Sequence, residues 1–385
     1  MTSDVHATRC AEYDLSMVRE RISEHLSIHD KFRDIGGKKV LIKINLLSAS
    51  DPQSAVTTHP ILVEALIREL QERGAECIIA DSPGGPFNEA TLKKAYTKSG
   101  MADVAERTGS SLNYGTTSHE ARHPTGKLVK RFTICDYIDE ADMIIAAPKI
   151  KTHMLTGLTC CSKIMFGAVP GLDKVGYHTR FPDTYDFSRM LLDLNDLVKP
   201  DLYIIDGIVG MDGDGPSHGN PRRIGIILSG TDNHKLDLTV CRMVGLDPAT
   251  IPIMIASRDM GSIDLQKDIT ITGNASDFRL DKDFTQASGM RLARKPPRAI
   301  RRLIMNFMTR KPRIDTERCE GCGICKENCA GFAIEMRSEK AVIDYSKCIR
   351  CYCCHELCPY DAVFVKKSNS RIKSGLEKLR FTTGR

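Results

Sequence analysis

Two kinds of apolar pattern alternate along most of the 385-residue chain. Short runs rich in β-branched residues are typical of buried strands, and longer segments with apolar residues every three or four positions are typical of helices. The predicted strands are 39–45, 77–80, 143–147, 202–205, 225–229 and 269–271, and the predicted helices are 59–73, 88–98, 157–168, 184–198 and 234–245. This alternation predicts an α/β domain over residues 1–288, with a mostly parallel sheet and flanking helices.

The C-terminal part carries a different pattern, two cysteine runs with the same spacing. The segments 319–329 and 348–358 both follow C-x2-C-x2-C-x3-C and form an internal repeat. This is the spacing of bacterial-type ligand runs for two 4Fe–4S clusters, in which three thiolates hold one cluster and the fourth ligates the other. The expected ligand sets are Cys319, Cys322, Cys325 and Cys358 for one cluster, and Cys348, Cys351, Cys354 and Cys329 for the other.

Two other uses of these cysteines fit the pattern less well. Structural zinc sites use paired C-x2-C knuckles rather than triplets followed by a fourth cysteine. A disulfide framework suits a small secreted domain, and the N-terminal segment lacks the apolar run of a signal peptide. Cys353 falls outside the ligand pattern and is expected to be a packed thiol. The sequence therefore predicts a small α+β ferredoxin-like module with two clusters over residues 313–366.

The net charge of +6 is unevenly distributed. Residues 291–313 hold nine Lys or Arg and no acid, and residues 366–385 hold seven against Glu377 alone. We therefore expect a basic linker over 289–312 and a basic tail over 367–385. Such blocks suit an acidic protein partner or anionic lipid. Because these segments match no recognised nucleic-acid motif, nucleic acid is the minor alternative and a redox partner protein is the favoured partner. The apolar face of 299–308 either docks on the protein core or makes a peripheral membrane contact.

The cysteine content also bears on location. The chain has fifteen cysteines, no export signal and no apolar run long enough to cross a membrane. These features predict a soluble protein in a reducing, cytoplasmic compartment. Oxygen-sensitive clusters further suggest an anaerobe.

Loops that follow the predicted strands hold the remaining candidate chemistry, because ligands bind beyond the carboxyl ends of strands in open α/β sheets. Glycine loops and lysines there suit an anionic ligand. The candidate binding residues are Asn45, Asp81, Gly84, Gly85, Lys149, Lys151 and Lys163. Asp212 and His218, in the loop predicted over 206–219, are the candidate proton donors, with ordinary solvated turn residues as the alternative. Neither G-x-G-x-x-G after a strand nor a Walker A run is present.

Several of these segments resemble the family called domain of unknown function 362. They are Lys43-Ile-Asn45, Asp81-Ser-Pro-Gly-Gly85, the run from Lys149 to Gly171, and Asp206-Gly-Ile-Val-Gly210. Ile164 stands where the family pattern often has Asn. Members often carry a C-terminal two-cluster ferredoxin module. The resemblance implies an iron–sulfur redox protein and names no substrate.

The sequence leaves two functions open. In the first, the chain is a ferredoxin-dependent reductase, an oxidoreductase that passes electrons to an anionic small molecule or cofactor held by the α/β domain. In the second, it is a non-enzymatic electron carrier or assembly protein that docks an acidic partner through its basic segments.

Overall fold

The computed structural model describes residues 4–288 and 310–365 of the chain. The amphipathic segment 299–308, most of the linker and the tail lie outside these residues. The strands are β1 (Val5–Arg9), β2 (Lys39–Ile44), β3 (Glu76–Ala80), β4 (Ser111–Leu112), β5 (Ser118–Arg122), β6 (Arg131–Cys135), β7 (Met143–Ala147), β8 (Lys149–His153), β9 (Gly157–Thr159), β10 (Leu202–Asp212), β11 (Asn220–Gly230), β12 (Ile271–Thr272), β13 (Pro312–Ile314), β14 (Ile334–Arg337), β15 (Lys340–Ile343) and β16 (Val363–Val365). The α-helices are α1 (Leu15–Ser27), α2 (Pro60–Glu72), α3 (Glu89–Lys98), α4 (Met101–Thr108), α5 (Cys161–Ile164), α6 (Asp173–Arg180), α7 (Thr184–Val198), α8 (Asn233–Met243), α9 (Pro252–Asp259), α10 (Ile324–Glu327) and α11 (Cys353–Glu356).

Within the described residues, ten strands form one mixed sheet. Its main order is β12-β1-β11-β10-β7-β2-β3-β4, and β8 joins it by pairing with β10 and β9. The pairs β10–β7, β7–β2, β2–β3 and β3–β4 are parallel, whereas β11 runs antiparallel to both β1 and β10. The sheet is therefore mostly parallel, as the alternation of strands and helices predicts.

Two apolar cores, one on each face of the sheet, hold the helices in place. Side chains alternate between the faces of a strand, and β2 shows this directly, since Leu41 belongs to one core and Val40 and Ile42 belong to the other. The first core takes the apolar faces of α7, α8 and α9, and the second takes those of α1 to α4. Because both faces are covered, β2 and β7 are almost continuously apolar and buried.

The α/β fold class predicted from the sequence is confirmed, and helix α7 has the bounds that the periodicity predicts. Three local predictions are wrong. The segment 149–153, predicted as a loop, is the buried strand β8. The segment 157–168, predicted as one helix, contains β9, the single turn α5 and a short 3-10 helix. Strand β10 continues to Asp212, through residues predicted as a loop, because β11 pairs with it along that length.

The cysteine-rich module contains two short antiparallel pairs, β13–β16 and β14–β15, and the single-turn helices α10 and α11. Its two halves repeat the same backbone conformation. Gly321 and Gly323 have φ values of 68° and 77°, and the matching Arg350 and Tyr352 have φ values of 58° and 64°. The left-handed conformation is costly for residues other than glycine. Its retention at Arg350 and Tyr352 indicates that the loop geometry around the cysteines requires it.

None of the helices in the two described ranges is long and apolar enough to cross a membrane.

A fully buried ion pair joins β8 to β10. Lys149 Nζ lies 2.8 Å from Asp206 Oδ2 and 2.7 Å from the hydroxyl of Tyr13, and both charged side chains have no solvent exposure. Asp206 also accepts hydrogen bonds from the Tyr13 hydroxyl and from the backbone N–H of His59. Burial lowers the pKa of Lys149, and the neighbouring Asp206 opposes this effect. The pair therefore ties α2, β8, β10 and the segment before α1 together.

We expect Lys149→Met to lower the free energy of unfolding by about 3–5 kcal/mol, because it leaves the buried Asp206 carboxylate without its cation. The double variant Lys149→Met/Asp206→Asn should recover part of this loss, since no unpaired charge then remains. Urea unfolding of anaerobically purified protein measures both effects. Lys93→Met, which breaks an exposed pair with Glu89, is the control and should leave the midpoint unchanged. Equal midpoints for Lys149→Met and Lys93→Met would contradict the role given to the buried pair.

Candidate functional site

The eight cysteines of the two runs surround two separate cavities in the module. One cavity, of about 340 Å³ including its open side, is lined by Cys319, Cys322, Cys325 and Cys358. The other, of about 320 Å³ including its open side, is lined by Cys329, Cys348, Cys351 and Cys354. Apart from the thiols, the walls of both cavities are largely apolar side chains and backbone. Each cavity thus combines three cysteines of one run with the last cysteine of the other.

The chemistry of these walls fits iron–sulfur clusters. Four thiolates around an apolar cavity are the ligand set of a 4Fe–4S cluster. The backbone N–H of Ala333 lies 3.1 Å from Cys329 Sγ, and that of Ala362 lies 3.3 Å from Cys358 Sγ. Hydrogen bonds to a ligating sulfur stabilise its negative charge and tune the cluster. Both bonds occupy equivalent places in the two halves of the repeat.

A cleft of about 710 Å³, including its open mouth, separates the module from the sheet edge. The α/β domain contributes one wall, with Asn45, Asp81, Gly84, Gly85, Thr159, Lys163, Lys174 and His178. The module contributes the other, with Asn328, Cys353, Glu356 and Leu357. Asn328, Cys353 and Leu357 are sequence neighbours of Cys329, Cys354 and Cys358, so the second wall lies next to the residues that line the cysteine cavities.

Direct contacts hold the two walls together. The Ser217 hydroxyl lies 2.8 Å from the carbonyl oxygen of Glu356, and the Thr179 hydroxyl lies 2.8 Å from that of Ala330. Leu357 packs so closely on Gly84 that a Cβ atom at this glycine would lie 2.7 Å from Leu357 Cδ2. A glycine at position 84 therefore permits the close approach of the module.

Polar atoms without partners are concentrated around the cleft. Among the described residues, no hydrogen bond reaches Asn45 Oδ1, Thr159 Oγ1, His178 Nδ1 or Glu356 Oε1, although all four atoms are buried. Buried polar atoms are rarely left unpaired, because their desolvation costs about 1–3 kcal/mol each. Four such atoms around one cavity indicate that a polar ligand or ordered water satisfies them.

A second ion pair forms the floor of the cleft. Lys43 Nζ lies 2.9 Å from Asp81 Oδ1, and the other Asp81 oxygen accepts the backbone N–H of Leu46 at 2.6 Å. Lys174 reaches this floor from α6, where Nζ donates to both oxygens of Ser82 and to the carbonyl of Val169. Burial lowers the pKa of Lys174 to about 7. The cleft lining thus holds two lysines, Lys163 and Lys174, and two carboxylates, of which Asp81 is paired with Lys43.

Lys163 differs from the other lysines of this region. It follows β9 in the single turn α5, and within the described ranges its Nζ has no hydrogen-bond partner and lies 5.8 Å from the centre of the Phe166 ring. Burial lowers the pKa of Lys163, while the charge of Glu356 opposes that effect and the ammonium group of Lys43 adds to it. Lys163 is thus the amine available to a ligand.

The histidines beside the cleft are neutral. Burial lowers the pKa of His178 to about 3, and the charge of Lys163 adds to this effect. The His153 ring accepts the backbone N–H groups of Leu155 and Thr156 at Nδ1, so its proton lies on Nε2. That nitrogen is 3.3 Å from Glu356 Oε1, without hydrogen-bond geometry.

Comparison with known proteins assigns the chain to a family. The family described as domain of unknown function 362 matches residues 40–242, and a 4Fe–4S dicluster domain matches residues 311–359. The chain belongs to the domain of unknown function 362 family. Its C-terminal part is an iron–sulfur-binding domain of the ferredoxin type. Both conclusions confirm the resemblance drawn from the sequence motifs.

A curated relative and two solved structures are similar to this member of the domain of unknown function 362 family. A thylakoid-associated protein of Synechocystis sp. is 33% identical over 230 residues, which cover 58% of this chain and 68% of that protein. The lactate racemase apoprotein of Thermoanaerobacterium thermosaccharolyticum has a TM-score of 0.40 at 15% identity, covering 63% of this chain and 57% of that one. A Thermotoga maritima protein has a TM-score of 0.34 at 14% identity, covering 55% and 54%. The alignments thus span less than two thirds of either solved structure.

Five of the seven candidate ligand-binding residues line the cleft, namely Asn45, Asp81, Gly84, Gly85 and Lys163. Lys149 and Lys151 do not line it. Lys149 is held by Asp206, and Lys151 Nζ donates to the carbonyl of Val56 at 2.6 Å in a fully buried position. Both side chains leave β8, which the sequence suggested was a loop, and they find their partners in the interior instead of facing the cleft.

Neither of the two candidate proton donors lies at the cleft. Asp212 Oδ2 accepts hydrogen bonds from Arg222 and from the backbone N–H of Thr285, at 3.0 and 3.1 Å. His218 Nδ1 lies 3.1 Å from Asp361 in the module, and its ring packs edge-on against His355. Asp212 therefore stabilises the β10–β11 region, and His218 contributes to the contact between domain and module.

The candidate residues predicted from the sequence do not include all of the cleft residues. Thr159, Lys174 and His178 also line the cleft, and Lys174 and His178 lie outside the family motifs. Lys174 and His178 are four residues apart in α6 and so share one helical face, which is the available sequence signal. Thr159 ends β9, a strand too short to predict from its pattern.

A group of three buried side chains, Cys160, Cys161 and Asp237, lies behind α5. The two oxygens of Asp237 accept the backbone N–H groups of Cys161 and Ser162 at 2.8 and 3.0 Å. The carboxylate thus caps the turn that carries Lys163. Packing and capping account for this group.

Gly167→Ala should destabilise the protein by about 1–3 kcal/mol through overpacking, because its Cβ would lie 2.0 Å from Asp81 Oδ1 and 2.4 Å from Lys43 Nζ. Gly176→Ala is the matched control. Gly176 lies in α6 with open space around it, so alanine there should stabilise by about 0.5–1 kcal/mol. Thermal unfolding of both variants tests the floor of the cleft, and a neutral Gly167→Ala would contradict the close packing described.

Proposed function

We propose that the chain binds two 4Fe–4S clusters and passes electrons from them to an anionic small molecule held in the cleft. One observation carries this proposal: the residues between the cluster cysteines form one wall of the cleft. A ligand that contacts Asn328, Cys353 and Glu356 would lie directly beside residues that ligate a cluster. Fusion of a ferredoxin-type domain to a ligand-binding edge suits a reductase.

The two cavities support an order of electron flow. Asn328 and Ala330 flank Cys329, and Cys353 adjoins Cys354, so two cysteines of this set neighbour residues at the α/β domain, whereas the other set has one, Cys358 next to Leu357. In the other set Cys322 is exposed. Electrons would enter at the exposed set from a partner protein and leave from the bordering set. The clusters would supply one-electron redox chemistry, and the cleft residues would bind and orient the acceptor.

The positive character of the cleft supports an anionic acceptor. Lys163 and Lys174 face it, and the Asp81 carboxylate is already neutralised by Lys43. The unpaired hydroxyl of Thr159 would donate a hydrogen bond to a carboxylate or phosphate oxygen. The buried, partly water-free setting strengthens such contacts.

An electron carrier without its own substrate is the second candidate. Exposed side chains of the module favour it, since Phe332 is 80% exposed and Tyr345 and Tyr360 are more than one-third exposed. Such aromatic residues suit docking to a redox partner. The basic linker and tail that the sequence analysis assigned to an acidic partner lie outside the described residues.

Cys329→Ser tests the cluster assignment. Wild-type protein purified without oxygen should contain about eight irons, and Cys329→Ser should lose about four of them, because one ligand set is then incomplete. Iron and sulfide analysis with EPR of the reduced protein measures this. Cys353→Ser is the control and should keep every iron, since Cys353 lies outside both cavities of cysteines. Zinc in place of iron, or equal losses in both variants, would overturn the assignment.

Thr159→Val tests the cleft as a ligand site. It keeps the shape of the side chain and removes the unpaired hydroxyl, so we expect less small molecule to be released from the purified, denatured protein. Thr239→Val is the matched control, because Thr239 is also buried with an unpaired hydroxyl but lies outside the cleft. Mass spectrometry of the released molecules measures occupancy. A full set of clusters with nothing bound in the wild-type cleft would favour the carrier.

A further inference from the structure

We propose that Lys163 is a nucleophilic amine that condenses with the carbonyl group of a small 2-oxo acid bound in the cleft, forming an imine. The inference rests on the proposed function for the place where the ligand binds, and it adds a covalent step and a substrate class. Lysine amines form such bonds with carbonyl substrates when a desolvated or cationic setting keeps part of the population unprotonated.

The contacts of the lysines single out Lys163. Lys43 and Lys149 are paired with carboxylates, and Lys151 donates to a backbone carbonyl away from the cleft. Lys174 faces the cleft, but Ser82 and Val169 supply three acceptors for its three N–H bonds. Lys163 alone among the described cleft lysines has an Nζ free of such bonds. Its nitrogen lone pair is therefore accessible to an electrophile.

The surroundings of Lys163 make its unprotonated form accessible. Burial lowers the pKa of Lys163, the charges of Glu356, Cys353 and Asp81 oppose this effect, and the Lys43 ammonium group adds to it. The turn that carries it is fixed, because Asp237 caps its start and the Asn195 amide donates to the Cys161 carbonyl at 2.9 Å. A fixed backbone keeps the amine directed at the same part of the cleft, as an attacking group requires.

The remaining polar atoms define the class of substrate. A carboxylate would accept a hydrogen bond from the Thr159 hydroxyl, beside the positive charge of Lys174. A carbonyl group next to that carboxylate would lie towards Lys163 and the unpaired Nδ1 of His178. The cleft suits a small molecule with both groups, which is a 2-oxo acid.

The condensation balances without another reagent. The neutral Nζ attacks the carbonyl carbon, a C–N bond forms and the carbonyl π bond breaks to give a carbinolamine. Both protons of the amine then end on the former carbonyl oxygen, which leaves as water, and the C=N bond forms. Protonation of the imine nitrogen restores a positive charge opposite the carboxylate.

Reductive trapping tests this proposal on the full-length, anaerobically purified protein. The protein is treated with glyoxylate or pyruvate and sodium cyanoborohydride at neutral pH, and peptide mass spectrometry locates the adducts. Each unit by which a lysine pKa falls raises its unprotonated fraction about tenfold at this pH. Because the pKa of Lys163 is lowered by burial and that of the exposed Lys93 is raised by its bond to Glu89, we expect Lys163 to be labelled faster than Lys93. Labelling of Lys163 no faster than Lys93 would overturn the proposal.

Three variants distinguish a specific reaction of Lys163 with an oxo acid from general labelling of lysines. Lys163→Arg should abolish the fast adduct and keep the iron, whereas Lys93→Arg should leave the fast adduct in place. Thr159→Val should slow labelling by the oxo acids and leave labelling by formaldehyde, which has no carboxylate, unchanged. Equal slowing with both reagents would show that the carboxylate is not recognised there and would overturn the oxo-acid assignment. If the Lys163→Arg variant loses its iron, the labelling rates of Lys163 and Lys93 in the wild-type protein still test the proposal.

The outcome is independent of the proposed electron transfer. Fast labelling of Lys163 in a protein without clusters would support the amine and refute the redox function. A complete set of clusters with unlabelled Lys163 would support the redox function and refute the reactive amine.

Discussion

Burial of lysine ammonium groups at one edge of the sheet is the constraint on which the rest of this structure depends. A cation removed from water is tolerated only when an anion or well-placed acceptors compensate it. Lys43 and Asp81, and Lys149 and Asp206, form such pairs with no solvent exposure of the lysines. Each pair joins elements that are distant along the chain. The carboxyl edge of the sheet is consequently fixed by electrostatics as well as by apolar packing.

The same constraint explains why the cleft lies where it does. The pairs engage the Asp81 and Asp206 carboxylates, and within the described residues the amine of Lys163 lines the cleft with Glu356 but makes no hydrogen bond. The module covers this edge with backbone carbonyls, Leu357 and Glu356, and leaves a space lined by unpaired polar atoms. The buried ion pairs and the docked module together therefore produce the floor of the cleft, leave the Lys163 amine facing it, and place a cysteine cavity nearby. Catalytic or binding geometry of this kind needs support from fixed neighbours.

The module shows how repetition in sequence becomes repetition in structure. The two cysteine runs share backbone conformations, N–H···S hydrogen bonds and the exchange of the fourth cysteine between cavities. One half meets the left-handed positions with glycine, and the other uses Arg350 and Tyr352. The conformation is therefore imposed by the loop around the thiols rather than by local preference.

The sequence by itself determined the α/β class, the family, the ferredoxin-type domain and five residues of the cleft wall, since periodicity, motif spacing and strand-end position are local properties. Only the tertiary structure decided which charges are available. Lys149, Lys151 and Lys163 looked equivalent in the sequence as candidate ligand-binding lysines. Strand β8 pairs with the distant β10, and this pairing buries Lys149 and Lys151 in the interior, away from the cleft that Lys163 lines. Asp212 and His218 also lie away from the cleft, because Asp212 pairs with Arg222 and His218 contacts Asp361 of the docked module. Long-range contacts set the electrostatic role of a residue, and no pattern along the chain records them.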